Sequence, residues 1–190
     1  MNAAEVEFLA ENEVVSIIPR FTYPSGSRPV AINLLSGTIG PFKAGNVTQA
    51  PLWLALYLKS RQLCNIQPPD WISVDSLEQV KQQESEQDLL TPMPNPFYMT
   101  VGQLLLTSAA DDLPNGSSVQ TLIKDIFDVR MAKLRKSIDL FVSQESIHAQ
   151  VNNLTPLEIL LIRQPFTESV NFLNQLQSSI ANINLNRSVV

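Results

Sequence analysis

Residues 117–143 read SSVQTLIKDIFDVRMAKLRKSIDLFVS, and this stretch decides the fold class. Val119, Leu122, Ile123, Ile126, Leu134, Ile138, Phe141 and Val142 recur at the spacing that gathers side chains on one face of an α-helix. Neither glycine nor proline interrupts the run, and Pro114-Asn115-Gly116 forms a turn ahead of it. The spacing therefore predicts the longest helix of the chain, the spine of a helical domain.

Working toward the C-terminus, Thr155, Pro156 and Glu158 fit a helix start: a capping residue, a proline whose missing N–H costs nothing there, and an acid three residues after the cap. Pro165 is expected to kink or break this last helix. Leu173, Leu176 and Ile180 continue its stripe, and residues 181–190 are expected to form a flexible tail. Toward the N-terminus, residues 97–109 read as a helix carrying Val101, Leu104, Leu105 and Ala109, and residues 91–96 (TPMPNP) as a rigid non-helical strut. Ser73 and Ser76 offer caps to a polar helix ending near Ser85. Before it, Pro51 opens the run LWLALYL, apolar almost all round, which predicts a helix covered on several sides.

The first fifty residues differ in character. A short amphipathic helix over residues 3–12 precedes two β-branched stretches, 14–18 and 30–35, and closely spaced Gly37, Gly40, Pro41 and Gly45 forbid a long helix. The fold class is mainly α with a small N-terminal β-rich domain (α+β). Its expected divisions are a β-rich unit at 1–50, a helical domain at 51–180 and the tail at 181–190.

Composition narrows the function. A hydrophobic share of 44% supports a packed core. The formal charge of −5 makes the surface as a whole repel polyanions, so autonomous nucleic-acid binding is disfavoured. Within residues 124–136, however, Lys124, Arg130, Lys133, Arg135 and Lys136 outnumber Asp125 and Asp128. Such a run fits a solvated helix face, an acidic partner or DNA phosphate. Nothing resembles a signal peptide, and the longest apolar run, 51–58, is too short to span a membrane, so a soluble intracellular protein is expected.

Residues for catalysis do not converge. His148 is the only histidine and Cys64 the only cysteine, which leaves no base beside a nucleophile and no thiolate cluster for zinc. Gly37-Thr38-Ile39-Gly40 lacks the lysine and further glycines of a phosphate-cradling loop, and Asp111-Asp112 lacks alternating oxygen ligands for a cation. No catalytic residue, cofactor or metal is assigned. Apolar surface remains to be explained instead. Phe127 sits beside Ile126 and Phe172 beside Leu173, so each helix carries apolar residues on a second face. Surplus surface of this kind predicts a permanent protein partner.

These segments also carry a resemblance. Residues 3–21 (AAEVEFLAENEVVSIIPRF), Gly40-Pro41-Phe42, residues 51–64 (PLWLALYLKSRQLC), Pro68-Pro69-Asp70-Trp71, residues 91–99 (TPMPNPFYM) and residues 122–137 (LIKDIFDVRMAKLRKS), then Asn153-Leu154-Thr155 with Glu158-Ile159, together resemble the Psf-two subunit family of the eukaryotic GINS replication complex. The likeness runs in order from residue 3 to about residue 160. It implies a β-rich domain before a helical GINS domain, in a heterotetramer with three sister subunits. It further implies a nuclear, non-catalytic scaffold joining the minichromosome-maintenance ring and the Cdc forty-five protein in the replicative helicase, with indirect or weak DNA contact and no membrane. The alternative is an independent helical adaptor that binds peptide segments of partner proteins. Candidate interface residues are Trp53, Tyr57, Phe97, Tyr98, Phe127, Arg130, Lys133, Arg135, Phe166 and Phe172. Trp53 and Tyr57 are expected to fill the joint between the domains, where loss of a fully buried Trp53 ring would cost about 3–5 kcal/mol.

Overall fold

A computed structural model describes residues 2–22, 32–34, 37–143 and 152–187; His148 lies outside them. The N-terminal unit begins with α1 (Ala3–Glu11), started by a reciprocal capping box in which the Asn2 side chain accepts from the Glu5 N–H and the Glu5 carboxylate accepts from the Asn2 N–H. Strand β1 (Val14–Pro19) alternates buried Val15, Ile17 and Pro19 with less covered Val14, Ser16 and Ile18. It is the centre of a three-stranded antiparallel sheet between β4 (Thr48–Pro51) and β5 (Cys64–Gln67), registered by Val15 opposite Ala50 and Ile17 opposite Ile66. A separate hairpin of β2 (Ile32–Leu34) and β3 (Gly37–Ile39) lies between β1 and β4 in the chain.

Helix α2 (Leu52–Ser60) connects β4 to β5 and packs on all three strands of the sheet. A domain boundary after residue 50 is therefore corrected. Residues 51–67 complete the sheet, and β5 escapes sequence reading because four residues, Cys64-Asn65-Ile66-Gln67, barely establish a period of two. Pro51 is the last residue of β4 and the N-cap of α2 rather than its first helical residue.

Beyond a one-turn 3-10 helix (Asp70–Ile72), α3 (Val74–Glu86) starts at Ser73, whose side chain accepts from the Ser76 N–H. The proline-rich strut follows without helix, and then α4 (Tyr98–Ser108), the turn Ala110–Asp112 and α5 (Gly116–Ser143). Helix α5 packs against α3 on one side and α4 on another. At the α4 contact Gly102 lets the backbones approach, since a Cβ there would lie 2.6 Å from Ile123 Cδ1.

The last helix, α6 (Pro156–Arg187), continues through Pro165, which corrects the expectation of a break there, and extends past residue 181, where the tail was expected to begin. Leu161 and Pro165 are exposed, so the carbonyl that loses its donor is left to water, and no glycine or second proline halts backbone bonding after residue 165.

One continuous core joins the two units, reaching from Ala10, Val15 and Ile17 through Leu52 and Leu58 to Leu105, Ile123 and Ile126. Polar clamps reinforce the joint. Lys59 Nζ lies 2.8 Å from Asp112 Oδ2, and the same oxygen accepts from the Ile66 N–H at 2.7 Å, while Asn95 Nδ2 donates to Glu13 Oε2 at 3.1 Å. Asp112 is thus occupied in joining the turn before α5 to the edge of β5.

Candidate interaction surfaces and a buried ion network

On α2 the buried positions are Leu52, Ala55 and Leu58. Trp53 and Tyr57, one turn apart, lie on the opposite side with 37% and 55% of their surfaces exposed. Arg61 extends that line, its guanidinium carbon 5.6 Å from the Tyr57 ring centroid. The expectation that these two aromatics fill the joint is corrected: α2 does lie between sheet and α4, but its small and branched residues face inward.

The cationic run on α5 divides the other way. Val119, Ile123, Ile126, Arg130 and Leu134 occupy one buried stripe, so Arg130 stands at a core position and is 0% exposed. Its Nε donates to Glu158 Oε1 at 2.6 Å and its Nη2 to Glu158 Oε2 at 2.9 Å, a two-pronged pair. Nη1 donates to Glu84 Oε2 at 3.1 Å and the Thr91 carbonyl at 2.8 Å, while Nη2 also reaches the Asn153 carbonyl at 2.7 Å. All five guanidinium contacts are therefore internal.

Around this centre, Lys133 Nζ contacts Glu84 Oε1 at 2.7 Å, donates to the Leu89 carbonyl at 3.3 Å and meets the Glu84 carbonyl. Thr91 offers both its N–H, at 3.1 Å, and its hydroxyl to Glu84 Oε2. Glu158 Oε2 also accepts from the Thr155 N–H at 2.9 Å, which gives the expected acid at the helix start a second duty. Two cations thus face two carboxylates. A fully solvated cationic face is corrected for Arg130 and Lys133, because these acids converge on them from α3 and α6; Arg135 alone of the three remains exposed.

The environment sets the charges. Burial pushes Glu84 upward, yet hydrogen bonds from Lys133 and Thr91 and the charge of Arg130 outweigh it and leave its pKa below the ordinary value. Burial likewise opposes charge on Arg130, but bonding to Glu158 and the neighbouring negative charges raise its pKa. Tyr98, 1% exposed, lies beside the network; burial first and the charge of Glu158 second drive its ionisation far upward, so the hydroxyl stays neutral. Among the described residues no group meets hydrogen-bond geometry with that hydroxyl, although the Glu158 carboxylate lies near enough to raise its pKa.

The remaining candidates are scattered. Phe97 and Phe127 are half-buried against the core, Phe166 is half-exposed on α6, and Phe172 is 61% exposed. Leu161, Pro165 and Phe172 lie within a narrow angle over about three turns of helix and form an exposed strip on α6. Between α4 and α5, Met99, Leu106 and Ile123 line a groove of about 650 Å³.

Sequence reasoning missed Glu84, Asn153 and the internal role of Glu158. Their signals were positional: Glu84 follows Leu77 and Val80 on one face of α3, and Arg130 continues the stripe of α5.

Residues 2–67 match the family described as the PSF2 N-terminal domain, a segment that ends with β5, and residues 71–177 match the GINS complex protein helical bundle domain. The chain is similar to the DNA replication complex GINS protein PSF2 of Xenopus laevis, 45% identical over 182 residues, covering 96% of this chain and 95% of the relative. The Homo sapiens protein of the same name is 43% identical, covering 95% and 94%, and a probable Drosophila melanogaster counterpart is 40% identical, covering 93% and 84%. With both halves matched in order and the sheet and helical bundle in place, the chain belongs to the PSF2 family of GINS DNA replication proteins.

Proposed function

We propose that this chain is a non-catalytic structural subunit of a GINS heterotetramer and acts in the nucleus. With three sister subunits it joins the minichromosome-maintenance ring to the Cdc forty-five protein in the replicative helicase. The single observation that carries the assembly role is the exposed apolar strip of Leu161, Pro165 and Phe172 on α6. An exposed apolar strip along a helix fits the apolar face of another helix. Trp53, Tyr57 and Arg61 form a second surface on the opposite unit, of the residue types that dominate protein interfaces, and this face is assigned to the ring or its activator. DNA contact is indirect or weak, since Arg130 and Lys133 are committed internally and the chain carries net charge −5.

Co-expression with and without the three sister subunits, followed by size-exclusion chromatography and mass measurement, tests this reading. Alone, the chain self-associates through its uncovered apolar surface; together, the four form one species of equal stoichiometry. Phe172→Glu lowers the yield of that species and leaves the chain's own melting temperature unchanged. A wild-type chain that is monomeric and stable at high concentration, without affinity for the sisters, sinks the proposal. That result favours the independent adaptor, for which the groove between α4 and α5 is the binding surface.

A further inference from the structure

Among the described side chains of α6, only Glu158 and Ile162 are buried. Both belong to the first two turns, so the buried anchors among the described residues of α6 lie at its start. Glu158 is gripped by both prongs of Arg130, and the chain entering the helix is held too: the Asn153 carbonyl accepts from Arg130, and Asn153 Nδ2 donates to the Leu90 carbonyl at 2.9 Å. Asn153 adopts a positive φ of 61°, a conformation asparagine tolerates better than most residues, so the turn into α6 is itself specified.

An ion pair is a costly way to stabilise a core, because both charges lose their water and well-packed apolar residues often serve as well. What a planar fork adds is direction. Two parallel hydrogen bonds fix the rotation of one partner about the other, whereas apolar side chains slide. Phe172 stands about 15 Å along the axis from Ile162, so a tilt of roughly 10° at the base moves it about 2.6 Å, enough to misplace an interface side chain.

We infer that the Arg130 fork is a latch that sets the direction in which α6 leaves the body, and thereby positions the Leu161–Phe172 strip for a partner helix. Arg130 is a positioning residue: it touches no partner and acts through Glu158. The inference rests on the assembly role proposed above, and the test separates the two.

Hydrogen exchange of the full chain, kept dilute, is compared for wild type, Arg130→Lys and Glu158→Gln, each also co-expressed with the three sister subunits. Lysine keeps the charge but not the fork, so the body stays folded. In both variants α6 amides exchange about tenfold faster while α3 and α5 stay within about twofold of wild type, and tetramer yield falls several-fold. Three results overturn the latch: unchanged α6 protection, uniform loss across α3, α5 and α6, or a loosened α6 with wild-type tetramer yield. If the wild-type chain fails to assemble with the sisters, the assembly role falls, whereas unchanged or uniform exchange removes the latch alone.

Discussion

Helices α2 and α5 invert each other's sequences. The run LWLALYL reads as a helix to be covered on several sides, yet Trp53 and Tyr57 face outward. The cationic run VRMAKLRK fits a solvated face, an acidic partner or DNA phosphate, yet its first arginine is the largest fully buried side chain among the described residues. Hydropathy gives the cost of burying a residue, not the direction in which its helix turns. That direction depends on what stands opposite: the three-stranded sheet and α4 need only Leu52, Ala55 and Leu58 from α2, while α3 and α6 bring carboxylates that no apolar residue could satisfy.

The strongest way to break this contrast is to truncate both residues. Arg130→Met leaves Glu84 and Glu158 buried with too few partners and is expected to cost about 3–5 kcal/mol in denaturant unfolding. Trp53→Ala, at a partly exposed ring, is expected to cost no more than about 2 kcal/mol, less than a buried ring would. Equal losses, or a larger one at Trp53, would mean the two helices have been assigned the wrong inward faces.

Acidification sharpens the α5 side. Glu84 has a folded pKa below the ordinary 4.5, so its contribution to stability is fully present above that value and disappears as pH falls through the lower folded value. Stability measured between pH 6 and pH 3 should therefore fall below about pH 4.5, and Glu84→Gln should remove part of that dependence. Parallel curves for the two proteins would show that Glu84 is not held ionised.

The smallest effect concerns Tyr98. Because no group among the described residues meets hydrogen-bond geometry with its buried hydroxyl, Tyr98→Phe should leave stability unchanged or raise it by up to about 1 kcal/mol. A clear loss would reveal that the hydroxyl is paired within the network.

The threonines of Thr91-Pro92 and Thr155-Pro156 are both buried, and Thr91 gives its hydroxyl to Glu84. Each would have to leave the core before an enzyme could reach it.

Much of the architecture was local and so was written in the chain. The α5 stripe, the Ser73 cap, the Pro-rich strut and the Thr155-Pro156-Glu158 start each depend on residues within a few positions of one another. The resemblance along residues 3–160 supplied the family. What only the tertiary structure decided were contacts between residues far apart in sequence: β5 completing the sheet across α2, the outward turn of Trp53, and Arg130 meeting Glu84 and Glu158 from opposite directions. A periodic pattern shows which residues share a face; only the packed neighbours determine whether that face meets water, an apolar core or a carboxylate.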